Sequence, residues 1–70
     1  MTREAILRWL DARPFKPFEI RLSNGDRFSV WHPEALLVST TTAVLQISGS
    51  NRNVEIALLH VAAVEHLLLK

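Results

Sequence analysis

The sequence contains no cysteine. That excludes a disulfide framework, a thiolate metal site and a cysteine nucleophile. Glycine occurs only at Gly25 and Gly49, too sparse for the glycine-rich loop that cradles a phosphate. No Gly-x-Ser-x-Gly elbow, P-loop or dinucleotide fingerprint is present. Long apolar runs are missing too. The longest are four residues, at 35–38, 56–59 and 61–64, against the roughly 18 that a membrane span needs. Met1-Thr2-Arg3-Glu4 has no apolar stretch of the secretory kind, so a cytoplasmic protein without a membrane partner is expected. Nor does one charge dominate. Eight basic residues against seven acidic give a net +1, too balanced for a domain whose whole surface follows a phosphate backbone.

What the chain has in quantity is apolar material: 49% of its 70 residues. A chain of this size buries only about 60% of the surface it exposes when unfolded. The expectation is one domain over 1–70, with a helix inside 1–13 and a sheet over 15–70. Arg3, Arg8, Arg13, Lys16, Arg21 and Arg27 all fall in the first 27 positions. Glu4, Asp11, Glu19 and Asp26 are interleaved with them, which reads first as a solvated, mildly basic face.

Thr2 is placed to cap a helix, with Glu4 in the first turn where the helix dipole favours an anion. Ala5, Ile6, Trp9 and Leu10 recur at helical spacing. Glu4 and Arg8 form an i,i+4 pair in the better orientation. Pro14 disfavours helical geometry at Arg13, so the helix ends near Asp11 or Ala12. Pro14 and Pro17 then hold the following segment extended.

Residues 18–22 alternate, with Phe18, Ile20 and Leu22 on one face. Ser23-Asn24-Gly25-Asp26 is a turn, and residues 27–31 alternate again with Phe28 and Val30 inward. A two-residue Asn24-Gly25 loop would set Leu22 opposite Arg27, mixing charge with core on one face. An odd loop of three or five residues is therefore expected, with Leu22 against Phe28 and Ile20 against Val30. His32-Pro33-Glu34 interrupts the next stretch, because proline cannot donate to a ladder. Residues 36–40 and 43–48 read as strands around a tight connection at Thr41-Thr42, and 49–53 as a polar loop. Residues 54–69 read as strand, a brief turn at 60–62, then strand. A single helix capped by Asn53 is the alternative, favoured by alanine and leucine content.

Two resemblances rest on these residues. Arg13-Pro14-Phe15-Lys16-Pro17-Phe18-Glu19-Ile20-Arg21-Leu22-Ser23-Asn24-Gly25, then His32-Pro33-Glu34 and Leu58-Leu59-His60-Val61, resemble a family of short, mostly uncharacterised bacterial proteins. Its members carry RPFxPFxIxLSDG, HPE and LLHVxxIE segments, and the resemblance brings no assigned activity. At fold level, a helix followed by a bent antiparallel sheet is similar to the Sm-like fold, including bacterial Hfq. Leu59-His60-Val61-Ala62-Ala63-Val64 resembles the closing Hfq segment, which carries a histidine near bound uridine; Leu59 stands where Hfq has a lysine. That likeness implies RNA contact through His60.

The fold class expected is α+β: an N-terminal helix on a strongly bent antiparallel sheet of about five strands, SH3-like or Sm-like. The three histidines lack metal-ligand spacing, since His60 and His66 are six apart. Neither a metal, a cofactor nor a catalytic residue is expected. Outward Trp31 is either an intermolecular contact or packed against Trp9 beneath the helix. Leu59, Leu67, Leu68 and Leu69 exceed what a sheet this small can cover, since adjacent residues face opposite sides. The leading expectation is a non-enzymatic, self-associating assembly module using Trp31 and these leucines. The alternative is an Sm-like RNA-binding regulator using Arg8, Arg13, Lys16, Arg21, Arg27 and His60, with an aromatic to stack a base.

Overall fold

The computed structural model describes residues 1–47, 49 and 51–67. Helix α1 spans Arg3–Asp11, and the Thr2 hydroxyl accepts the Ala5 amide at 3.2 Å to cap it. Ile6 and Leu10 are buried, as the apolar spacing requires. The Glu4–Arg8 pair does not form; among the described residues the ion pair is Arg21–Glu65. An exposed i,i+4 pair is worth only about 0.2–0.5 kcal/mol, too little to hold two long side chains against solvation. At the other end, Arg13 Nη1 donates to the Leu10 and Ala12 carbonyls at 3.1 and 2.9 Å, satisfying acceptors that the helix leaves open. The Arg13–Pro14 peptide bond is cis.

Six strands follow in two antiparallel three-stranded sheets. Strands β1 (Phe18–Leu22), β2 (Arg27–Val30) and β6 (Val61–His66) make the first, in the order β2-β1-β6. Strands β3 (Leu36–Val38), β4 (Thr42–Gln46) and β5 (Asn53–Ala57) make the second, in the order β3-β4-β5. The α+β class holds, but the expected single sheet is divided. The division falls at Pro33–Ala35, a short 3-10 turn, because Pro33 cannot supply a ladder donor.

The first hairpin has an odd, three-residue turn at 23–25, closed by the Leu22 amide on the Asp26 carbonyl at 2.8 Å. Its register differs by two from the one expected. Phe18 pairs with Val30 and Ile20 with Phe28, so Leu22 stands beyond the last pair, Arg21–Arg27. Parity keeps the apolar residues together; Asn24 decides the rest, its side-chain oxygen accepting the Asp26 amide at 2.9 Å and drawing Asp26 into the turn. Gly25 has φ +95°, and a Cβ there would meet nothing. Conformation, not space, requires the glycine.

Residues 54–66 are strand, turn and strand, so the helical alternative is overturned. Strand β5 pairs with β4 and β6 with β1, and these ladders outweigh the propensity of alanine and leucine for helix. The turn comes earlier than expected, at Leu58–His60, with Val61 already in strand. A bulge leaves Ala62 unpaired, since Arg21 faces Ala63 and Leu22 faces Val61. Thr42 belongs to β4 rather than to the connection. In the core, Ile6 and Leu10 meet Phe18, Ile20 and Val30 of the first sheet and Leu36, Leu45 and Ile56 of the second.

Candidate functional site

The outward tryptophan is where alternation puts it: Trp31 is 42% exposed. It does not pair with Trp9. The Trp9 ring instead packs on Phe18 and His66, at centroid separations of 5.5 and 4.6 Å. Trp31 lines a groove of about 280 Å³ with Ser29, His32, Glu34 and Gln46. Leu59 is more open still, at 86%. Leu67 is half-buried and its amide donates to the Pro17 carbonyl at 3.0 Å. It thus extends the β1–β6 pairing and is no free tail. Leu68 and Leu69 lie outside the described residues. Leu37, 72% exposed on β3, was not foreseen. The available signal was the apolar run at 35–38, since in any strand every second residue of such a run must face away.

The six residues considered for nucleic acid do not form one surface. Arg21 Nη2 bonds Glu65 Oε1 at 2.6 Å, and Arg21 Nε is buried without a partner. Its charge is already matched, so Arg21 is a poor phosphate ligand. Arg27 is exposed at the start of β2, directly across from Arg21. His60 is exposed at the end of the 3-10 turn, in a groove it shares with Glu55, Ser23 and Asn24. A carboxylate there opposes an anion.

Arg8, Arg13 and Lys16 do come together. They line a groove of about 400 Å³ with Trp9, His66 and the Ala12-Pro14 turn. Its construction follows from the elements. Arg8 and Trp9 stand on the last turn of α1, and Ala12 and Arg13 follow directly where the chain leaves the helix in an extended conformation. His66 is paired with Phe18 across β1 and β6, so it shares the face that the helix covers. The last residue of β6 therefore meets the Trp9 ring. Among the described residues no carboxylate lines this groove, and Glu65 points to the opposite face of β6, towards Arg21. Arg8 and Lys16 make no hydrogen bond or ion pair within the described residues. Sequence reasoning missed Trp9 and His66 as a pair. They are 57 positions apart, and no local pattern joins a helix residue to a strand end.

Comparison with protein-family models, curated proteins and solved structures finds no match for this chain. The motif resemblance therefore contributes no function, and the geometry alone must carry one. Among the described residues no three of histidine, aspartate and glutamate gather where a metal ion could sit. No helix among them is long and apolar enough to cross a membrane.

Proposed function

We propose that this protein is a small non-enzymatic assembly module, joining further copies of itself through the open edges of β5 and β6. The observation that carries the reading is Leu59, 86% exposed on the turn between those two strands. Among the described residues strand β5 is paired only with β4, and β6 only with β1. Strands β5 and β6 thus each leave one edge unpaired among the described residues, with the apolar Leu59 on the turn between them. Such an edge is a template for a further strand unless lysine, proline or a covering element blunts it. Val61-Ala62-Ala63-Val64 carries no charged residue and no proline; the bulge at Ala62 interrupts its pairing with β1 at one position. The complement of an edge strand is another edge strand, and a second copy supplies one. Pairing β5 with the β6 of a neighbour is heterologous and closes a ring or runs on; pairing β6 with itself makes a two-fold dimer.

The same topology supports an Sm-like or SH3-like barrel. A bent five-stranded sheet whose second strand is interrupted by Pro33 would divide into β2 and β3, each edging one of the two sheets. The short 3-10 turn before the last strand fits that path.

Native mass by light scattering on a sizing column, at low and high salt, tests the assembly. The expected result is an oligomer indifferent to salt, reduced to monomer by Leu59→Asp. A wild-type monomer at every concentration up to the solubility limit refutes it. So does an oligomer that Leu59→Asp leaves intact.

A further inference from the structure

Three features of the molecule remain outside that reading: the Trp31 groove, the His60 groove and the basic groove at the end of α1. The first two each include a carboxylate, Glu34 and Glu55. The third combines three cations with an aromatic pair and has no acidic lining among the described residues. We propose that this groove binds a nucleotide unit, with the phosphate held by Arg8, Arg13 and Lys16 and the base against the Trp9–His66 pair.

Charge comes first. The C-terminal end of a helix carries about −0.5 charge and repels an anion. Arg13 answers this directly, since its Nη1 is fixed on the Leu10 and Ala12 carbonyls. With that end covered, Arg8 and Lys16 are left as exposed cations without partners among the described residues. A phosphate gives them the anion that the protein itself withholds. The ring comes next. Trp9 and His66 sit at 4.6 Å with their planes at 54°, and both rings line the groove. A base is planar and every base has a π-face, so aromatic lining beside cations selects a nucleotide over a bare phosphate. Size agrees. About 400 Å³ lies within the roughly 300–1,000 Å³ of small-molecule sites, enough for one nucleotide. The unit can be a free mononucleotide or one residue of a single strand, and the two are separable by experiment.

The test is an amide and indole NMR titration of the full chain with adenosine monophosphate, adenosine, inorganic phosphate and hexa-adenylate. Adenosine monophosphate should shift the Trp9 indole N–H and the amides of 8–13, 15, 16 and 66. Adenosine and inorganic phosphate should each bind at least tenfold more weakly. The double substitution Arg8→Ala with Lys16→Ala should weaken binding at least tenfold. Because neither side chain is bonded to any described residue, spectral dispersion and native mass should be unchanged. Hexa-adenylate binding no tighter than the monomer identifies a free nucleotide; tighter binding by more than the sixfold statistical gain identifies a strand. Inorganic phosphate binding as well as adenosine monophosphate overturns the proposal, as do shifts confined to other regions or none at millimolar ligand. Loss of nucleotide binding would not touch the assembly reading, which rests on other residues.

Discussion

Thr2 and Gly25 show how little chemistry separates a turn or cap that works from one that does not. The Thr2 hydroxyl meets one orphan amide of α1, so Thr2→Ala should cost about 1 kcal/mol. Urea denaturation would register that as a lower midpoint with an unchanged slope. Gly25 is a different case. Its φ of +95° is unfavourable for any residue with a Cβ, so Gly25→Ala should cost on the order of 1–2 kcal/mol although nothing obstructs the methyl. If the same denaturation series found Gly25→Ala neutral, the turn would have a different conformation in solution. Arg21 is a third case, matched at one end of its guanidinium and unsatisfied at the other. It is bonded to Glu65, opposite Arg27, and has one buried N–H unanswered. Both members of the pair are well exposed, at 38% and 59%. Solvent screening therefore leaves Glu65→Gln costing under about 1 kcal/mol, measurable in the same urea series. A loss of several kcal/mol would mean the pair is far better shielded than its exposure implies.

Among the elements, β1 is central in every sense. It lies between β2 and β6, and its Phe18 and Ile20 are fully buried. Phe18 also touches Trp9 and Phe15 at 5.5 and 5.9 Å, linking strand, helix and the proline segment. Phe18→Ala should cost about 3–5 kcal/mol. A domain of this size has only about 4–10 kcal/mol to lose, so thermal melting should show a chain at the margin of folding. Alternation made β1 and β2 legible in the sequence, because one face of each is apolar and the other polar. Segment 54–66 was harder. Val54, Ile56 and Leu58 alternate, yet alanine and leucine fill both faces, and periodicity without a polar side cannot decide between strand and helix. Pairing with β4 and β1 decided it. Register was only half legible: parity follows from keeping apolar residues together, but that rule does not choose between two odd loops, and the structure shows the one in which the Asn24 side chain accepts the Asp26 amide.

For the whole molecule, self-association makes stability depend on concentration. If β5 and β6 dock onto further copies, the melting temperature should rise with protein concentration. Differential scanning calorimetry across a hundredfold range would measure it, and Leu59→Asp should flatten the dependence. A constant melting temperature for the wild-type chain would count against assembly. The sequence by itself determined the helix and its cap, the odd first turn, the break at Pro33 and the outward Trp31. Each of these is a local matter of periodicity, φ restriction or a missing donor, readable within a few residues. The tertiary structure alone decided that the sheet is two sheets, that Leu67 is engaged while Leu59 and Leu37 are open, and that Arg21 is matched to Glu65. It alone brought His66 to Trp9 and gathered Arg8, Arg13 and Lys16 beside them. Those outcomes depend on which strand lies beside which across up to 57 positions of chain, and no periodicity in the sequence encodes that distance.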